Sequence, residues 1–80
     1  RPNPAGDGLT VWFSLPDDAP ARLELFDLLG RRVVEREVGA LGSGSHTVRL
    51  TAADGLGPGV YLVRLTRGAR SLAARAVVTR

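Results

Sequence analysis

Apolar and polar residues alternate most regularly over Leu9, Thr10, Val11, Trp12, Phe13, Ser14 and Leu15. Leu9, Val11, Phe13 and Leu15 share one face, and Thr10, Trp12 and Ser14 the other. A period of two predicts a half-buried strand over 9–15. Pro16-Asp17-Asp18-Ala19-Pro20 follows as a loop with a rigid residue at each end. Ala21, Leu23 and Leu25 then alternate with Arg22 and Glu24, again at strand spacing. Phe26, Leu28 and Leu29 break that alternation. A helix over 22–29 competes with the strand until Gly30 is considered. Asp27-Leu28-Leu29-Gly30 fits a four-residue turn with Asp first and Gly last, so residues 31–38, with β-branched Val33 and Val34, return as the second strand of a hairpin.

The second half reads the same way. Gly39 to Ser45 holds three glycines and two serines and is expected to be a flexible surface loop. His46, Val48 and Leu50 alternate with Thr47 and Arg49, and residues 51–58 form a cluster of turn formers. Gly59 to Arg67 is the most strand-like run, yet its alternation is untidy. Tyr61, Val63 and Leu65 can enter a core together, which leaves Val60, Leu62 and Arg64 on the other face as a stripe beside Arg75 or Arg67. Arg67-Gly68 makes a tight turn, and residues 70–80 return antiparallel. Pro2 to Gly8 is a rigid, irregular lead-in. Turn signals at roughly 8- to 12-residue spacing between short apolar runs predict an all-β fold. The expectation is a small immunoglobulin-like antiparallel β-sandwich of about seven strands, with no helix and no internal repeat.

Composition narrows the function classes. Eighty residues make one small domain, spanning 1–80. A chain of this size buries roughly 60–65% of its unfolded surface, so its packing has to be efficient. Without Cys it has neither disulfides nor thiolate metal ligands. The sequence pI is about 11.0 and the net charge +3, which raises nucleic acid as a partner. The arginines are spread along the chain with acids between them, and an electrostatic footprint needs clustering on one face. Nucleic acid is therefore not an expected partner. The use of Arg without Lys, Ile or Gln fits a GC-rich codon bias. No run reaches the roughly 20 apolar residues of a membrane helix. The chain opens Arg-Pro-Asn-Pro without Met, so it is expected to be a piece of a longer protein.

Candidate chemistry is sparse. His46 is the single histidine, and a triad or a zinc site needs partners it lacks. Its expected role is packing or hydrogen bonding. Asp17-Asp18 matches no calcium loop and is expected to be a solvated turn. Gly42-Ser43-Gly44 precedes no helix, so it cradles no phosphate. Trp12, opposite the apolar face, either covers an edge or end of the sandwich or stacks on a sugar. No catalytic residue, cofactor or metal ligand emerges, and the chain is not expected to be an enzyme.

Five runs stand in a telling order: Pro2-Asn3-Pro4, residues 23–33 (LELFDLLGRRV), 44–50 (GSHTVRL), 59–65 (GVYLVRL) and 74–80 (ARAVVTR). Together they resemble the type A C-terminal sorting domains of proteins exported by the bacterial type IX secretion system. They also look like the immunoglobulin-like module of the flagellar hook-capping protein. Thr51 stands where many sorting domains carry Asp or Asn, and Arg replaces their frequent Lys. The resemblance implies a non-catalytic sorting and cell-surface anchoring domain, secreted or on the cell surface. Its partners would be the secretion translocon or the surface-attachment machinery. It implies that the signal lies in Gly59, Val60, Tyr61, Arg75, Val77, Val78 and Arg80, and it lends Arg64 a contact role. The alternative is a structural module whose edge strand adds to copies of itself or to a neighbouring domain, building a filament, cap or stalk.

Overall fold

The computed structural model describes residues 8–79. The lead-in over 2–7 and the terminal Arg80 lie outside the described residues. The strands are β1 (Gly8–Leu15), β2 (Arg22–Phe26), β3 (Arg32–Glu37), β4 (Gly44–Thr51), β5 (Gly59–Arg67) and β6 (Arg70–Val78). The expected alternation is visible in β1 and β4, whereas β5 is buried at Tyr61 and exposed at Leu62 but half-buried along the rest of its length. Leu15 and Leu50 are buried, and Leu9, Val11, Phe13 and Val48 pack partly buried against the core.

Six strands stand among the described residues, where about seven were expected, and two of the turn-rich segments between them coil into short 3-10 turns at Gly39–Leu41 and Ala52–Asp54. The second has a capping box, with the Thr51 hydroxyl accepting from the Ala53 amide and the Asp54 carboxylate accepting from the Thr51 amide. It delivers Leu56, 1% exposed, into the core. The first corrects the expectation of a loose loop over 39–45. Gly39 is buried, and a Cβ there would stand 2.3 Å from the Ala19 carbonyl oxygen. The Val38 and Gly39 amides both donate to the Ala21 carbonyl. Only glycine permits this approach, which ties the start of the loop to the end of the 16–20 segment.

The strands form two antiparallel sheets, β1-β4 and β3-β2-β5-β6. Leu23, Leu25, Leu50 and Leu56 are the largest fully buried side chains between them. Burying each of these leucines contributes on the order of 2 kcal/mol.

Two hairpins set the register of the larger sheet. Between β2 and β3, the Gly30 amide donates to the Asp27 carbonyl at 3.0 Å, and Asp27 Oδ1 accepts from the Leu29 and Arg31 amides. The first-position Asp therefore closes the predicted turn twice, by main chain and side chain. Leu25 pairs with Val34 and Phe26 with Arg32, so Val33 is the extra residue of a bulge. Between β5 and β6, Gly68 has φ +60, and among the described residues no non-glycine has positive φ. This is the II′ pattern, with glycine at the first central position, that suits a two-residue hairpin. The β5–β6 pairing runs without a register shift from Gly59–Val78 to Arg67–Arg70.

The unequal width of the sheets has a consequence for β6. Directly paired residues share a face, so Ala74 and Leu72, opposite Val63 and Leu65, point to the core side. Leu72 is nonetheless 74% exposed, because the two-stranded sheet is too narrow to cover the outer strand of a four-stranded one.

Candidate functional site

The candidate site is the outer face of the larger sheet where β5 meets β6. Its geometry follows from strand parity. Across the sheet, Arg32, Phe26, Leu62 and Arg75 form one row, and Glu35, Glu24, Arg64 and Ala73 the next. Val60 and Val77 pair beyond the first row.

Glu24 sits at the centre of this face, yet it is only 2% exposed. The side chains above it account for that. Arg64 Nη2 donates to Glu24 Oε1 at 2.9 Å, and Arg32 Nη1 donates to Oε2 at 3.0 Å. Arg22 Nε lies 3.8 Å from Oε2. The hydrogen bonds from Arg64, then Arg32, hold the Glu24 carboxyl below its usual range against the opposing effect of burial. Glu24 raises the Arg32 pKa in return. The Arg64 guanidinium also lies 4.7 Å from the centre of the Phe26 ring, a cation–π distance.

The eight residues nominated from the sequence fall into groups. Gly59, Tyr61 and Val78 are structural anchors. Val78 is 3% and Tyr61 7% exposed, and the Tyr61 hydroxyl donates to the Gly57 carbonyl at 2.6 Å. Gly59 has φ +155 and pairs with Val78. Val60, Arg64, Arg75 and Val77 share the outer face, with Val77 57% exposed. Within that group Arg64 is committed to Glu24, whereas Arg75 faces no carboxylate among the described residues. Arg80 lies outside the described residues.

The stripe of Val60, Leu62 and Arg64 stands as expected, with Arg75 as its neighbour. Arg67 is not part of it. Its parity points it to the other side, where it donates to both carboxylate oxygens of Asp17, at 3.1 and 2.7 Å. That pair also corrects the reading of Asp17-Asp18 as merely solvated. The Arg67 hydrogen bond, helped by the Ala19 amide, lowers the Asp17 pKa to about 2.

Phe26 and Leu28 were not nominated. They join Val60, Leu62, Arg64 and Arg75 around a shallow depression on this face. Leu28 and Leu29 are 79% and 78% exposed. The signal for them was the break in alternation after Phe26: two adjacent leucines in a turn cannot both be buried, so at least one is surface.

His46 is held as expected, with Nε2 2.6 Å from the Gly42 carbonyl oxygen and its ring tilted against Phe13. Trp12 lies opposite Thr47 on the outer face of the smaller sheet, 79% exposed. Among the described residues no three His, Asp or Glu side chains converge as a metal-ligand group. No helix there is long and apolar enough to cross a membrane. Beside the charged cluster around Glu24, this face carries Val60, Leu62 and Val77 next to Arg75, which has no ion-pair partner among the described residues.

The family model described as "secretion system C-terminal sorting domain" matches residues 2–79. The match supports the sorting-domain resemblance, and it does not extend to the hook-capping module. None of the curated proteins matches the chain.

Proposed function

The chain belongs to the secretion system C-terminal sorting domain family, and from that premise we propose that it directs its cargo to the type IX translocon through the outer β5–β6 face and then serves cell-surface attachment. Membership makes it a sorting-signal domain, exported through the outer membrane to a secreted or cell-surface location and engaging the secretion machinery. The family is one of sorting signals and is not known for catalysis.

The observation that carries the recognition step is the contrast within the nominated residues. Val60, Val77, Leu62 and Arg75 are outward, and Arg75 has no acidic partner among the described residues. Apolar residues beside an unpaired cation favour a partner surface with aliphatic side chains and a carboxylate. Gly59, Tyr61 and Val78 support that face from beneath. Their contribution to sorting is to hold β5 and β6 in register.

A reporter fused ahead of residues 1–80 in a type IX-competent host tests the proposal. A fusion lacking 74–80 should remain inside the cell, and Arg75→Glu with Val77→Ser should reduce export while leaving the thermal midpoint of the isolated domain unchanged. Export of all three fusions at equal levels would sink it. Attachment is read separately, from reporter retained on washed cells against reporter in the medium.

A further inference from the structure

We infer that β6 is an acceptor edge: an extended, acidic and aliphatic segment of the secretion machinery pairs with it as an added strand. The inference deepens the sorting proposal and rests on it only for the source of that segment.

The backbone argument comes first. Among the described residues, β6 pairs with β5 on one side and with no strand on the other. It runs nine residues without proline, glycine or a register shift. Such an edge presents a row of unpaired N–H and C=O groups, which folds usually blunt with bulges, prolines or charge.

The side chains specify what fits. Of the described arginines, Arg22, Arg31, Arg32, Arg36, Arg64 and Arg67 each face a carboxylate. Arg70 and Arg75 face none among the described residues. Both lie on β6, and their parity puts them on opposite faces of the sheet. Leu72, on the core side, stands uncovered over a groove lined by Leu15, Pro16 and Leu65. An antiparallel segment that places one carboxylate opposite Arg75 and a second opposite Arg70, with an aliphatic residue opposite Leu72 between them, meets all of these groups. A second copy of β6 fits poorly, because it offers Arg70 and Arg75 further cations and no carboxylate.

The test uses the 80-residue chain and a blocked peptide, acetyl-Thr-Val-Thr-Glu-Val-Thr-Val-Thr-Glu-amide, whose glutamates fall opposite Arg75 and Arg70. Amide hydrogen exchange is followed by NMR with and without peptide, and affinity by calorimetry. Protection is expected at alternate β6 amides and not along β3. The double variant Arg70→Glu/Arg75→Glu should bind this peptide about tenfold more weakly or worse, and should regain affinity for the peptide with Arg in place of Glu. That rescue also shows that the variant is folded. Equal affinity for the two peptides in the variant, protection along β3, or β6 protection that appears on concentrating the chain alone would overturn the inference. Normal reporter export by a chain that fails these tests would leave sorting intact and remove only the added strand. Loss of export from the unaltered fusion would instead remove sorting.

Discussion

The two edges of the larger sheet are built in opposite ways. β3 is six residues long, carries the Val33 bulge, and spends its charges internally: Arg32 on Glu24 and Glu35, and Arg36 on Asp54. β6 is nine residues long and regular, and its two cations have no carboxylate among the described residues. A bulge and paired charges discourage strand addition. One edge is thus closed to pairing and the other, among the described residues, is open, so the devices that exclude an added strand are concentrated on β3.

The largest expected effect concerns what the edges share. Leu25 on β2 and Leu72 on β6 both point to the core side, but one is 0% and the other 74% exposed. Leu25→Ala should lower stability by about 3 kcal/mol in denaturant titration, since a buried leucine leaves a cavity. It should loosen both edges together.

Acid should weaken the internally paired charges next. Hydrogen bonds to the charged form hold the Glu24, Asp17 and Asp27 carboxyls below their ordinary values. Their contribution is complete above the unfolded values, at and above about pH 4–4.5. It is lost as pH falls through the folded values, for Asp17 down to about 2. Thermal midpoints should therefore be flat near neutrality and fall below pH 4. Glu24→Gln should flatten that fall and leave Arg22, Arg32 and Arg64 without the negative charge they share. A midpoint at pH 7 equal to that of the unaltered chain would show that the cluster does not hold the outer face.

Smaller effects separate the edges individually. Arg36→Ala should cost about 0.2–1 kcal/mol, the range for a partly exposed ion pair, and should raise amide exchange along β3 alone. Leu72→Ser and Arg75→Gln should each change stability by less than about 0.5 kcal/mol, as expected of surface positions. Arg75→Gln should still reduce export of a fused reporter. A large stability loss from either would mean that β6 is covered after all.

Much of the fold was legible because its strands are half-buried. β1 and β4 alternate in sequence as they do in burial, and Asp27 and Gly30 announce their turn through an acceptor side chain and positive φ. Gly39 was misread because a glycine that allows close approach and one that confers freedom look alike in sequence. Arg67 and Arg64 were likewise indistinguishable before the fold assigned them to Asp17 and Glu24, partners 50 and 40 residues away. In the candidate site, Val60, Leu62 and Arg75 could be inferred as neighbours from hairpin parity alone. Phe26 could not, because its place depends on β2 lying beside β5.

By itself the sequence determined the strand positions, the Asp27–Gly30 and Arg67–Gly68 turns and the sorting-domain family, all of which rest on local pattern and ordered motifs. Tertiary structure alone decided which arginines are neutralised, that Glu24 is buried on an outward face, and that β6 is an edge. The physical reason is that a side chain's charge is written in its own position, whereas its compensation depends on which distant strands become neighbours.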